Sequence, residues 1–128
     1  MRTHPLVSDY ILAELNLDRI VRDCARSSHE RMDGRGYPDG LSGEEVPLPA
    51  RIVFVADALD AITTDRPYRR GRSVVDALAE IEGNAGTQFC PRVVAALREI
   101  WRTRPDVLAA EEPTATPPPR ALRLLEVA

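Results

Sequence analysis

Residues 49 to about 63 constrain the fold more than any other stretch. Pro49 suits the first turn of a helix, and Ile52, Val53, Phe54, Val55 and Ala56 follow consecutively, with Leu59 and Ile62 continuing the core face. A helix apolar nearly all round is expected at the centre of a domain, with other helices packed about it. Asp57 falls inside this run, so its carboxylate is expected to be buried and to need a cation, a metal or several donors. One of the many arginines would satisfy that need as well as a metal or catalytic role would.

Four further segments read as helices. Residues 5 to about 15 place Leu6, Val7, Tyr10, Ile11 and Leu15 at helical spacing behind Pro5, with His4 at the N-terminal edge. Residues 17 to about 28 put Leu17, Ile20, Val21 and Cys24 on one face, leave Asp18, Arg22 and Asp23 for solvent, and deliver His29 at their end. Ser73, three positions before Asp76, resembles a capping box and starts a helix to about residue 82 that carries Val74, Val75, Leu78 and Ile81 and stops at Gly83. Pro91 opens the fifth, with Val93, Val94, Leu97, Ile100 and Trp101 in a stripe. The class is all-α.

Between Met32 and Pro49 lie four glycines and three prolines, with Asp-Gly twice, so this is a loop with defined turns. Its length suggests function, and Tyr37 and Leu41 look like anchors that order it. Residues 105–128 are rich in Pro, Ala, Thr and Glu and read as a flexible tail after a domain of residues 1–104, with residues 121–127 able to form a short amphipathic turn.

Composition narrows the function classes. With 128 residues, 17 basic against 20 acidic and a formal charge of -3, the chain has the size of one small domain and no global basic character to hold nucleic acid. Cys24 and Cys90 are too few and too far apart for a disulfide framework or a zinc knuckle, and no apolar run approaches the roughly 20 residues of a membrane span. A cytoplasmic location is expected.

Every basic residue is arginine, which suits forked recognition of phosphate. Arg66, Arg69 and Arg70, with Arg72 just beyond, cluster about the turn at Pro67 and Tyr68, either to grip phosphates or to form a solvated turn complementing a helix C-terminus. His4 and His29, the two histidines, have with a carboxylate the composition of a transition-metal site, or are helix-end residues without that role.

The stretch His29-Glu30-Arg31-Met32-Asp33-Gly34-Arg35-Gly36-Tyr37-Pro38-Asp39-Gly40-Leu41 resembles the signature loop of HD-GYP domains. Further blocks follow in family order: Gly43 to Leu48, Ala50-Arg51-Ile52, Val55-Ala56-Asp57, Asp60-Ala61, Asp65-Arg66-Pro67-Tyr68-Arg69 and Ala85-Gly86-Thr87-Gln88-Phe89. The resemblance implies a partial HD-type bundle of about five helices with an ordered Gly36-Tyr37-Pro38 loop, related to phosphodiesterases that hydrolyse cyclic di-GMP with two or three divalent metal ions, usually iron or manganese. It implies His4, His29 and Asp57 as metal ligands and Arg66 and Arg69 as contacts to the substrate phosphates. It also implies that the Gly36-Tyr37-Pro38 loop can meet a diguanylate cyclase (GGDEF) partner.

The sequence departs from the family in two respects. The metal-binding His, the adjacent His-Asp pair and the catalytic Lys that the family carries upstream of the His4 position are not in this sequence, and Ser28 stands where the family has a second histidine before its Glu. A full metal site is therefore not expected from this chain alone. The expectations are an incomplete phosphodiesterase completed by an HD-bearing chain, a non-catalytic module binding cyclic di-GMP or a diguanylate cyclase, or a remnant without a role. Apolar surface left open on the third helix is expected to favour an oligomer or a partner.

Overall fold

A computed structural model describes residues 2–109 of the chain. The described part is helical: α1 (His4–Glu14), α2 (Arg19–Ser27), α3 (Leu48–Thr63), α4 (Val74–Gly83), α5 (Pro91–Thr103) and a single turn α6 (Pro105–Leu108), with a 3-10 turn at Gly43–Glu45 in the long loop. Proline stands in the first turn of α1, α3, α5 and α6, where its missing N–H has no intrahelical acceptor to lose. Ser73 caps α4 by accepting the Asp76 N–H.

The core forms where α3, α4 and α5 meet. Ile81 is fully buried, and Val55, Leu78, Phe89, Cys90, Val93, Val94 and Leu97 surround it. Leu108 of α6 packs against the same cluster, so the domain runs past residue 104 into what reads from sequence as tail. Pro105 and Asp106 in its first turn give the local reason. Residues 110–128, including the amphipathic segment 121–127, lie outside the described residues.

Two expectations about faces are corrected. On α3 only Ala50 and Val55 are buried, while Ile52, Val53, Ala56 and Asp57 are exposed, so the helix is central on one side only. Its apolar run continues around a side that no described helix covers.

The hairpin of α1 and α2 turns its charges inward. Asp9 of α1 accepts from Arg22 at 3.0 Å and from Arg26 at 3.1 Å, and its side chain is only 15% exposed. Arg22 thus lies at the helix seam with its side chain partly exposed, Asp18 faces solvent as expected, and Val7, Ile11, Leu17, Ile20 and Val21 are exposed. The open apolar surface expected on the third helix therefore extends onto α1 and α2.

Among the described residues no helix is long and apolar enough to cross a membrane. Cys24 is half-buried, Cys90 is buried, and both are free thiols.

Candidate functional site

The loop between α2 and α3 is held by its own polar groups. Tyr37 N–H donates to the His29 carbonyl at 3.2 Å, making an antiparallel bridge between the two residues. Gly36 packs so closely on residues 29–31 that a Cβ there would lie 2.5 Å from the Glu30 Cα. Asp33 N–H donates to the Thr87 carbonyl at 2.9 Å, and Gly43 N–H to the Met32 carbonyl at 3.0 Å, which stitches the loop to the turn before α5 and to itself. A capping box between Ser42 and Glu45 closes the 3-10 turn. The loop is ordered, as its turn residues suggest.

Arg31 forks onto Asp33 at 3.0 and 2.7 Å, and the Arg35 N–H donates to the same carboxylate. The Arg31 bonds, helped by that N–H and opposed by desolvation, lower the Asp33 carboxyl to about 2. An unfolded aspartate titrates near 3.9. The contribution to stability is thus present above about pH 4 and lost as the pH falls towards 2. Asp39, Glu45 and Glu99 are depressed too, by Arg26, Ser42 and Arg102 respectively, so the acid limb is shared. Asp33→Asn is expected to flatten part of that limb when the urea midpoint is followed from pH 5 to pH 2, and an unchanged slope would refute the assignment.

The bridge brings the aromatic groups together at the start of α1. The His4 and His29 rings lie edge to face with centroids 4.8 Å apart. Tyr37 stacks on His29 at 5.2 Å with an interplanar angle of 13° and stands 6.3 Å from His4. The Arg2 guanidinium lies 5.8 Å over the Tyr37 ring. Burial lowers the His29 pKa, the neighbouring His4 adds to the shift, and Asp57 opposes it. This favours the neutral imidazole, which keeps a ring nitrogen able to act as acceptor or ligand.

Asp57 reaches the same neighbourhood from α3. Its charge raises Cys24, after burial, and acts on His29. The expectation that Asp57 lies in the interior is corrected: it is exposed, so hydration replaces the compensation that burial would demand. The proximity of Cys24 to Asp57 has no signal in the sequence, because it depends on how α2 crosses α3.

Two imidazoles bound to one ion at about 2.1 Å each would hold their ring centres about 4.5–5 Å apart, and the pair at 4.8 Å meets that condition. The described residues nevertheless contain no group of three or more His, Cys, Asp or Glu placed to hold a metal. The donors present thus fit a metal only in part.

Arg66 and Arg69 sit beyond the C-terminal end of α3. Their backbones exchange both hydrogen bonds, at 2.7 and 3.1 Å, across the Pro67–Tyr68 turn. Residues so paired carry their side chains on one side of the ribbon. Arg69 also donates to the Ala61 carbonyl, while Arg66 and Tyr68 are exposed. Asp65 accepts the Gly71 N–H at 2.6 Å and closes the turn. A groove of about 960 Å³ between α3, α5 and α6, lined by Ile52, Leu59, Val93 and Leu97 among others, includes neither histidine.

The HD domain family model matches residues 1–93. The chain is 36% identical over 106 residues to 3'3'-cGAMP-specific phosphodiesterase 3 of Vibrio cholerae, covering 83% of this chain and 23% of that protein. It is 44% identical over 100 residues to the cyclic di-GMP phosphodiesterase response regulator RpfG of Xanthomonas campestris pv. campestris, covering 76% and 26%. It is 35% identical over 114 residues to a cyclic di-GMP phosphodiesterase of Thermotoga maritima, covering 88% and 31%. Among solved structures, the crystal structure of a cyclic GMP-AMP specific phosphodiesterase of V. cholerae, V-cGAP3, superposes with a TM-score of 0.69 at 26% identity, covering 80% of this chain and 24% of that one. The chain spans about a quarter to a third of the length of these relatives. Phosphodiesterases with this domain are generally metal-dependent. The Gly36-Tyr37-Pro38 loop, the helical fold and these matches together mean that the chain belongs to the HD domain family, in its HD-GYP branch.

Proposed function

We propose that this chain forms the loop-bearing part of a phosphodiesterase that hydrolyses cyclic di-GMP. The observation that carries the reading is the juxtaposition of His4, His29 and Tyr37 on elements that match the family, with Arg66 and Arg69 paired on one turn. His4 and His29 present neighbouring imidazoles to the reacting end of the substrate. Arg66 and Arg69 grip its phosphates and neutralise charge that develops on them. Tyr37 holds the His29 ring in its plane.

The metal that the resemblance implies is iron or manganese, to which His4 and His29, with their rings 4.8 Å apart, would each offer a donor, and Asp57 would join them only in a site completed by other residues. They do not complete an ion's coordination by themselves, which needs roughly six ligands in an octahedral site. The remaining donors are assigned to an HD-bearing segment. The exposed apolar faces of α1 and α3 suit contact with that segment or with a second copy of the chain. A diguanylate cyclase domain is the partner assigned to the Gly36-Tyr37-Pro38 loop, and the cytoplasm is the proposed location.

A second reading, a binding module without turnover, draws on the same incomplete donor set. The two are separated by incubating cyclic di-GMP with iron(II) or manganese(II) and this chain, with and without an HD-bearing segment, and following the nucleotide by chromatography. Hydrolysis only in the combined sample is expected. Calorimetric binding with no hydrolysis in either sample would establish the module, and neither binding nor hydrolysis would overturn both.

A further inference from the structure

We propose that Glu30 is a positioning residue: its buried carboxylate latches residues 39–41 and thereby fixes Tyr37 against the His29 ring. The inference deepens the reading of His29 as a site residue. Glu30 is 2% exposed, and among the described residues its carboxylate takes part in no ion pair with arginine. Its partners are three backbone N–H groups: Oε1 accepts from Asp39 at 2.7 Å and from Gly40 at 3.1 Å, and Oε2 accepts from Leu41 at 3.0 Å. A buried carboxylate persists only when such donors offset its lost hydration.

The backbone of the same residue is held from the other side. Its N–H donates to the Ser27 carbonyl at 3.0 Å, at the last turn of α2, and Gly36 lies against its Cα. The loop from residue 36 to residue 41 therefore closes around Glu30, the backbone at one end and the carboxylate at the other. Tyr37 lies between these two attachments, hydrogen-bonded to the His29 carbonyl and stacked on its ring.

The latch also reaches α1. Asp39, whose N–H goes to Glu30, turns its own carboxylate to Arg26 at 2.7 and 2.8 Å, and Arg26 continues to Asp9. Asp9 belongs to the helix that begins at His4. A single buried side chain thus sets the loop that positions one imidazole, and the loop is tied through Arg26 to the helix bearing the other.

The charge of the group is what matters, since glutamine fills the same volume but offers one acceptor oxygen and turns an NH2 group towards backbone N–H donors. The chain has only two histidines, so their ring protons are readable by NMR in the tag-free protein. Stacking on Tyr37 displaces the His29 signals, and Tyr37→Leu calibrates that displacement. Glu30→Gln, with parental helical circular dichroism, is expected to lose most of it and to speed amide exchange at residues 39–41. Asp33→Asn, which removes the Arg31–Asp33 ion pair of the loop and leaves the Glu30 hydrogen bonds in place, is expected to keep it. Should Glu30→Gln fail to fold, Glu30→Asp, whose carboxylate is one methylene short, carries the same test. Faster exchange at residues 39–41 with unmoved His29 signals would overturn the inference and leave Glu30 a loop-closing residue only. The readout involves neither metal nor nucleotide, so its failure is distinct from a failure of the phosphodiesterase reading.

Discussion

Gly36→Ala is expected to lower the melting temperature by about 8 °C or more and to release the ordered loop. A Cβ at residue 36 would meet the Arg31 backbone nitrogen and the Glu30 Cα at 2.5 Å and the His29 carbonyl oxygen at 2.6 Å. All three are main-chain atoms, so no rotamer change relieves the contact and the loop has to move. Overpacking of this kind costs about 1–3 kcal/mol. Movement of the loop also withdraws N–H donors from the buried Glu30 carboxylate, which costs at least about 1–3 kcal/mol more. The total of roughly 2–6 kcal/mol is a large part of the stability of a small domain, and about 4–8 °C is lost per kcal/mol at this size. Gly83→Ala is the control: a Cβ there meets nothing within 4 Å, at the end of α4, and the melting temperature should hold or rise slightly. A Gly36→Ala protein that melts within about 3 °C of the parent would refute the packing argument.

The helices carried most of their own signal. Of the apolar positions predicted in α4 and α5, Leu78, Ile81, Val93, Val94 and Leu97 are buried, whereas Val75 and Ile100 are exposed, and the predicted cap at Ser73 forms. Periodicity shows that a face is apolar but not which neighbour covers it. The run Ile52 to Ala56 therefore predicts a central helix without saying which part of it stays open, and the described helices α2, α4 and α5 pack on only part of α3. Asp57 was misplaced for the same reason. On α2 the pattern predicts Asp18, Arg22 and Asp23 for solvent, and the Asp9 pair with Arg22 and Arg26 draws Arg22 to the seam while Asp18 keeps its exposure and Asp23 part of it. That pairing spans 13 and 17 residues and leaves no local trace.

Of the candidate site, the residues were legible and their contacts were not. The loop motif pointed to His29, Gly36, Tyr37 and Pro38, and turn chemistry predicted that the segment is ordered. Glu30 carries no separate signal in the sequence, although it stands next to His29, because a carboxylate facing three N–H groups exists only once residues 39–41 have folded back. The placement of His4 beside His29 depends likewise on the angle between α1 and α2, a tertiary quantity that spacing along the chain does not encode.

Replacing Arg66 and Arg69 together by alanine is expected to weaken binding of cyclic di-GMP by about 100-fold in a protein that carries both this chain and an HD-bearing segment. A hydrogen bond to a charged group contributes about 1.5–3 kcal/mol, and exposure of both residues places each at the lower end, so the pair amounts to about 3 kcal/mol. The two single variants should differ. Arg66 has an exposed side chain, so Arg66→Ala should alter affinity and leave the melting temperature unchanged. Arg69 also donates to the Ala61 carbonyl near the C-terminal end of α3, so Arg69→Ala should lower stability slightly as well as affinity. Lysine should rescue neither fully, because a point charge does not reproduce the two-pronged geometry of guanidinium on phosphate. Calorimetry at fixed ionic strength measures the affinities, and the salt dependence of binding should flatten in the double variant as its charge contacts are lost. A double variant that binds within about threefold of the parent would remove the phosphate-gripping role from this turn, a loss of only about 0.7 kcal/mol. The turn would then be left with the solvated, helix-capping role that its charge alone also allows.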